Sequence, residues 1–285
     1  MIVRDLIIGC STNYDWSKLK YWINSINASG FEGDKVLILM NCDADTVKKI
    51  TEAGFGVIGF NQDDSGNLSY SSSMPVHTER FLHIYNYLKN RDYRYVITTD
   101  VKDVVFQKNP IEYLEAECIS KNLVFASESI LYKDEPWGDQ NLKETFGAYI
   151  YEQFKNNEIF NVGVLAGHGY AIRDLALNIF VSCLNRPIPI CDQSTFNFMV
   201  SQNPYTSLSK YTRSEDGWAC QLGTTGDPSK AAQFDPVLLE PKPKLENGKV
   251  VTSTGLEYHI VHQYDRVPEM KKVIEEKFAS SVYCL

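Results

Sequence analysis

The chain has 285 residues, 44% of them apolar, enough to bury a substantial core. Its formal charge of −8, without long blocks of one sign, argues against a nucleic-acid partner, which needs a basic face. No apolar run approaches the ~20 residues of a membrane span, and no cationic segment with a signal-like apolar stretch opens the chain.

Val3 to Cys10 reads as a first strand that runs into the polar turn Ser11-Thr12-Asn13-Tyr14. Trp16 to Ile26 has helical spacing, with Trp16, Leu19, Trp22, Ile23 and Ile26 on one side. Lys35 to Met40 is a near-continuous apolar run, as expected of a strand in a buried parallel sheet. Asp45 is expected to cap the next helix, so Asp43-Ala44-Asp45 reads as a helix start rather than a metal motif. Gly56 to Phe60 is a third strand and Asp63 to Ser73 a polar loop. Pro75 to Lys89 reads as a helix with Phe81, Leu82, Tyr85 and Leu88 toward the core, and Tyr95 to Thr99 as a fourth strand. This alternation predicts a layered α/β sheet, mainly parallel, with ligands beyond the carboxyl ends of the strands.

After Pro110 the pattern loosens. Leu123 to Ala126 and Phe160 to Ala166 read as strands, and Ala171 to Leu184 as a helix. Tyr132 to Asn157 is polar, holds Trp137, and looks like an insertion that caps a pocket, with a helical segment near its end. Asp192 is expected to cap a helix over Gln193 to Val200. Gln221 to Pro243 reads as mobile loops, Asn247-Gly248 as a hairpin turn, and Tyr258 to Val261 as the last strand. Glu269 to Phe278 is a terminal amphipathic helix whose apolar face packs on its own domain. The seven cysteines (Cys10, Cys42, Cys118, Cys183, Cys191, Cys220, Cys284) form no CxxC pair and are odd in number. They read as buried free thiols in a reducing compartment, which implies a cytoplasmic protein, with peripheral membrane contact left open.

Asp100 and Asp103 follow the fourth strand directly. Carboxylates at such a sheet edge suit a hard divalent cation, and the cation suits a diphosphate. The alternative is a turn with an Asx hydrogen bond and a solvated acid. His262 ends an apolar strand; either its imidazole completes a mixed N/O ligand set that suits Mn²⁺ better than Mg²⁺, or it is a hydrogen-bonded histidine at the sheet end, the usual role of an isolated one. The other histidines (His77, His83, His168, His259) read as structural. Arg80 either reaches a diphosphate at the sheet edge or is a solvated helix charge. Asn161 either holds sugar hydroxyls or satisfies its own backbone, and Gly163 lets a ligand approach the chain. Asp192 reads as a helix cap, a role compatible with a carboxylate beside the reacting sugar carbon. Trp137 and Trp218 are loop aromatics that either stack on a sugar face or pin a loop.

In this order these segments resemble the GT-A fold glycosyltransferases, most closely the family-8 group around glycogenin and the lipopolysaccharide glycosyltransferases. The matching residues are Arg80, Asp100/Asp103, Asn161-Val162-Gly163, Asp192-Gln193 and His262, with the strand-turn at Asn13 extending the match to the amino terminus. The resemblance implies a single GT-A (Rossmann-like) catalytic domain over 1–285, with a nucleotide-binding half (1–110) and an acceptor-side half (111–285). It implies a UDP-linked sugar donor, Mn²⁺ (or Mg²⁺) on Asp100, Asp103 and His262, and base and ribose contacts from Cys10, Thr12 and Asn13. Arg80, Gly163 and Gln193 would complete the donor site, with Asn161 and Asp192 on the sugar, and transfer would retain anomeric configuration. The acceptor would be a carbohydrate or glycoconjugate, seated by 132–157 and 203–235. Two departures stand out: one extra residue between the acids, and His-Gln-Tyr-Asp-Arg in place of the family's Gly and Lys after the histidine, where Arg266 is the candidate substitute. A non-catalytic sugar-nucleotide or glycan-binding module on the same fold is the alternative. A haloacid-dehalogenase-like phosphatase is disfavoured because the first strand ends in Gly9-Cys10-Ser11, without a nucleophilic Asp.

Overall fold

The computed structural model describes residues 4–223 and 225–280, so Val3 and Cys284 lie outside the described residues. The strands of the two larger sheets are β1 (Arg4–Ser11), β2 (Asp34–Leu39), β3 (Gly56–Ile58), β4 (Tyr93–Thr99), β5 (Val104–Phe106), β6 (Leu123–Leu131), β7 (Glu158–His168), β8 (Ser209–Thr212), β9 (Ala219–Gln221) and β10 (Ile260–His262). Seven of them form one sheet in the order β8-β6-β7-β4-β1-β2-β3. Neighbours pair in parallel except β7, which runs antiparallel to both β4 and β6. The fold is therefore mixed α/β with a mainly parallel centre, as the alternation predicted.

The main helices are α1 (Trp16–Ala28), α2 (Ala44–Glu52), α3 (Val76–Leu88), α4 (Ile111–Glu117), α5 (Pro136–Phe154), α6 (Gly169–Cys183), α7 (Asp192–Val200) and α8 (Pro268–Phe278). Alternate residues of β1 point to opposite layers. Ile7 packs with Leu19, Trp22 and Ile23 of α1. Leu6 and Ile8 pack with Phe81, Ile84 and Leu88 of α3 and with Ile172 and Leu175 of α6. Helices thus cover both faces, and the ligand-accessible edge is the one where the parallel strands end.

A second, small sheet decides the site. It has the order β9-β10-β5, with β10 antiparallel to β5 and parallel to β9. This sheet brings the late strand Ile260–His262 against the strand that follows the acidic turn, with His262 opposite Val104. Near α8, Asn247 and Gly248 both take positive φ between Lys244–Glu246 and Lys249–Val251, as expected of a tight hairpin. Met270, Ile274 and Phe278 of α8 are buried against the domain.

Several expectations need correction. Asp43, not Asp45, caps α2 by accepting the Thr46 N–H at 2.8 Å, and Asp45 lies in the first turn, paired with Lys49 at 2.5 Å. Of the four residues expected to face the core from α3, Phe81 and Leu88 are buried, whereas Leu82 and Tyr85 are only partly so and Ile84 takes the core position. The polar segment after Tyr132 is helical almost throughout, with a break at Gly147 (φ 78). Within Gln221–Pro243, three short helical turns follow one another over Pro228–Val237.

Candidate active site

The carboxyl end of β4 delivers Asp100. Its backbone N–H donates to the Gly163 carbonyl at 2.8 Å, so the Asn161–Gly163 segment of β7 lies against the acidic turn. Asp103 closes that turn, and its carbonyl accepts the Gln263 N–H at 2.7 Å. His262 is thereby locked beside both acids. Its Nε2 stands 3.5 Å from Asp100 Oδ2 and 3.7 Å from Asp103 Oδ1. One donor atom from each of Asp100, Asp103 and His262 falls within 4.8 Å of the others. The extra residue between the acids is absorbed by the turn, and both acids remain at the site.

The donor set fits a divalent ion. His262 Nδ1 donates to Gln221 Oε1 at 2.7 Å, which leaves Nε2 as the free ligand atom. That Nε2 is buried without a hydrogen bond of its own. Gly163 makes room: a Cβ there would stand 2.5 Å from His262 Cε1 and 2.8 Å from Asp100 Oδ2. Electrostatics agree. Burial would raise the Asp100 carboxyl, but Arg80 and then His262 overcome it and hold it well below the usual carboxylate range. Burial raises Asp103. Burial disfavours charge on His262, yet the two acids outweigh it and raise the imidazole. Two acids share one imidazole, an arrangement that a small cation would relieve.

Arg80 is not a solvated charge. Its guanidinium is mostly buried and joins two carboxylates, Asp100 Oδ1 through Nη1 and Asp192 Oδ2 through Nη2, the latter at 3.1 Å. Asp192 is the first residue of α7 rather than its cap, a position taken by Cys191. Its side chain is buried and turned toward the site. On the other flank, Glu128 of β6 accepts from Asn161 Nδ2 at 2.7 Å and from Gln193 Nε2 at 2.5 Å. Asn161 Oδ1 accepts the Gly163 N–H at 2.7 Å, and Gln193 Oε1 accepts the Val162 N–H at 3.0 Å.

Two cavities flank these groups. One, of about 330 Å³, is lined by Cys10, Thr12, Tyr14 and Val76 and reaches Asp100 and Asp103. The other, of about 370 Å³, is lined by Asn161, Gly163, Asp192, Gln193, Glu128 and Trp137. His77, Arg80, Asp100, Gln263 and Arg266 line both, so the cavities meet at the acidic cluster. Asn13 is exposed at φ 57 and is absent from the lining, where Tyr14 stands. His77, read as structural, belongs to both walls. Trp218 is fully buried and stacks on Tyr113, which leaves Trp137, 50% exposed, as the site's loop-side aromatic. Glu128 and Gln221 had no signal in the sequence beyond residue type, whereas Tyr14 and Gln263 lie in the turn and the late motif without having been singled out.

No protein-family model matches the sequence, and no curated protein matches it significantly. Solved structures do match. The WbbM bifunctional glycosyltransferase superposes with a TM-score of 0.62 at 10% identity, over 99% of this chain and 51% of that one. This chain and WbbM share their fold. GlyE of Streptococcus pneumoniae TIGR4 gives a TM-score of 0.51 at 12% identity, over 92% of this chain and 54% of its own. Mouse xyloside xylosyltransferase 1 gives 0.50 at 16% identity, over 90% of this chain and 97% of its own. The chain spans about half the length of the WbbM and GlyE chains. Among the described residues no helix is long and apolar enough to cross a membrane.

Proposed function

We propose that this protein is a glycosyltransferase that moves a sugar from a UDP-linked donor to a hydroxyl of a carbohydrate or glycoconjugate acceptor. One observation carries the reading: Asp100, Asp103 and His262 converge where the Cys10–Tyr14 cavity meets the Asn161–Asp192 cavity. A nucleotide in the first and its sugar in the second would place the diphosphate beside these three side chains. A divalent ion held there, Mn²⁺ by the mixed N/O donor set, would neutralise the diphosphate and favour its departure as a Lewis acid.

The chain's own groups divide the remaining work. Cys10, Thr12 and Tyr14 wall the space for base and ribose. Arg80 and Arg266 border both cavities and supply positive charge where a leaving diphosphate becomes more negative. Asn161, Asp192 and Gln193 face the sugar space, and their partners hold each in one orientation before a ligand arrives. The resemblance to the family-8 group supports retention of anomeric configuration.

A panel of nucleotide sugars tests the proposal. Turnover or donor hydrolysis should appear with Mn²⁺ and vanish in excess EDTA. Asp103→Ala and His262→Ala should each lower it by about 10²-fold or more with the melting temperature nearly kept. Undiminished wild-type rates in excess EDTA would contradict the metal assignment. Donor binding without any turnover would instead favour a binding module.

A further inference from the structure

The sugar cavity carries a charge pattern that sugar transfer by itself does not require. Its arginines stand at one end, where it meets the nucleotide cavity: Arg80 and Arg266, with His77, line both spaces and border the place proposed for the diphosphate. Among the described residues that line the sugar cavity alone, Glu128, Glu135 and Asp192 are acids, and none is lysine or arginine. Arg80 is already engaged, because it pairs with both Asp100 and Asp192. Glu135 caps α5, where its Oε2 accepts the Gly138 N–H at 2.5 Å.

Glu128 is the acid placed to meet the sugar. Its partners are two neutral amides, Asn161 Nδ2 and Gln193 Nε2, and both bond Oε1. Its Oε2 makes no hydrogen bond among the described residues. That oxygen faces Gly223 of the cavity wall, where a Cβ would stand 3.9 Å from it, and Glu128 as a whole is only partly buried. Burial raises the Glu128 carboxyl, and the Gln193 and Asn161 amides, which bond the charged form, oppose the rise. A hydroxyl that donates to Oε2 adds to the effect of the amides. A second carboxylate in the same place is repelled, and the repulsion is strong in a site sheltered from water.

We propose that Glu128 sets the charge class of the donor sugar, a role that rests on the transfer reaction proposed above. The cavity takes an uncharged glycosyl group, one of whose hydroxyls donates to Glu128 Oε2, and it rejects a uronic acid. Neutral and uronic sugars are nearly equal in size, so charge rather than shape makes this choice.

Titration calorimetry with Mn²⁺ and matched donors tests the assignment. UDP-glucose and UDP-glucuronate differ only at C6, as do UDP-galactose and UDP-galacturonate, and UDP alone reports on the nucleotide side. In the pair whose sugar fits, the neutral donor should bind at least about 10-fold more tightly than its uronate. In Glu128→Gln the amide oxygen can keep both hydrogen bonds while an NH₂ replaces the charged oxygen, and that ratio should fall at least about fivefold. A smaller wild-type ratio in both pairs, tighter binding of a uronate, or a ratio unchanged in Glu128→Gln would overturn the proposal. Failure of UDP with Mn²⁺ to bind the wild type would instead overturn the donor reading itself, and the role of Glu128 with it.

Discussion

Gln221 shows how a residue without charge can govern the site. It accepts from His262 Nδ1 at 2.7 Å, and so decides which imidazole nitrogen faces Asp100 and Asp103. Gln221→Leu should weaken Mn²⁺ binding by about 10- to 100-fold, the usual cost of losing such an outer partner, which a metal titration measures. Asp192 differs, because it pairs with Arg80 instead of capping its helix. Asp192→Asn should lower kcat much more than it raises the donor KM; a fall in melting temperature alone would reveal a structural role. Asp100, Asp103 and His262 were legible because each stands at a strand end, where an apolar run meets a polar side chain, and Asn161 because it interrupts the apolar run of β7. Glu128 and Gln221 were not legible. Glu128 lies inside a strand that continues beyond its apolar stretch to Leu131, and Gln221 ends a three-residue strand in a loop-rich stretch.

At the scale of elements, strands and helices with strong periodicity were readable, and caps and short strands were not. Asp43 and Asp45 are both good cap residues two positions apart, and it is Asp43 that has the extended backbone of a cap, with Asp45 already helical. Asp43→Ala should destabilise the fold by about 1 kcal/mol, while Asp45→Ala should change little, and neither should alter metal binding; denaturant midpoints decide. The helix α5 was hidden by its polar composition and by the Gly147 break. Beside β10, His259 donates from Nδ1 to the Asn109 carbonyl at 2.8 Å and packs between Tyr113 and Trp218. Burial, with help from Lys108, lowers its pKa from 6.5 to about 4. Between these two values the unfolded chain binds a proton that the folded chain refuses. Stability should therefore fall as pH drops from about 6.5 toward 4, and His259→Gln should flatten that part of a melting-temperature profile.

For the whole molecule, the sheet order explains why residues from distant parts of the chain meet. The antiparallel strand β7 turns its early residues, Asn161 to Gly163, toward the edge where the parallel strands end. The small β9-β10-β5 sheet then carries His262 to the same place. Alternation of strands and helices announced the parallel half, whereas three-residue strands paired across more than a hundred positions left no periodic trace. The central claim is that His262 and the two acids hold a divalent ion against a nucleotide diphosphate. Pulsed electron paramagnetic resonance of Mn²⁺ bound with UDP tests it directly. The account predicts one bound ion whose spectrum shows coupling to a histidine nitrogen, and loss of that coupling in His262→Gln. An ion that binds equally well without nitrogen coupling in the wild type would contradict it.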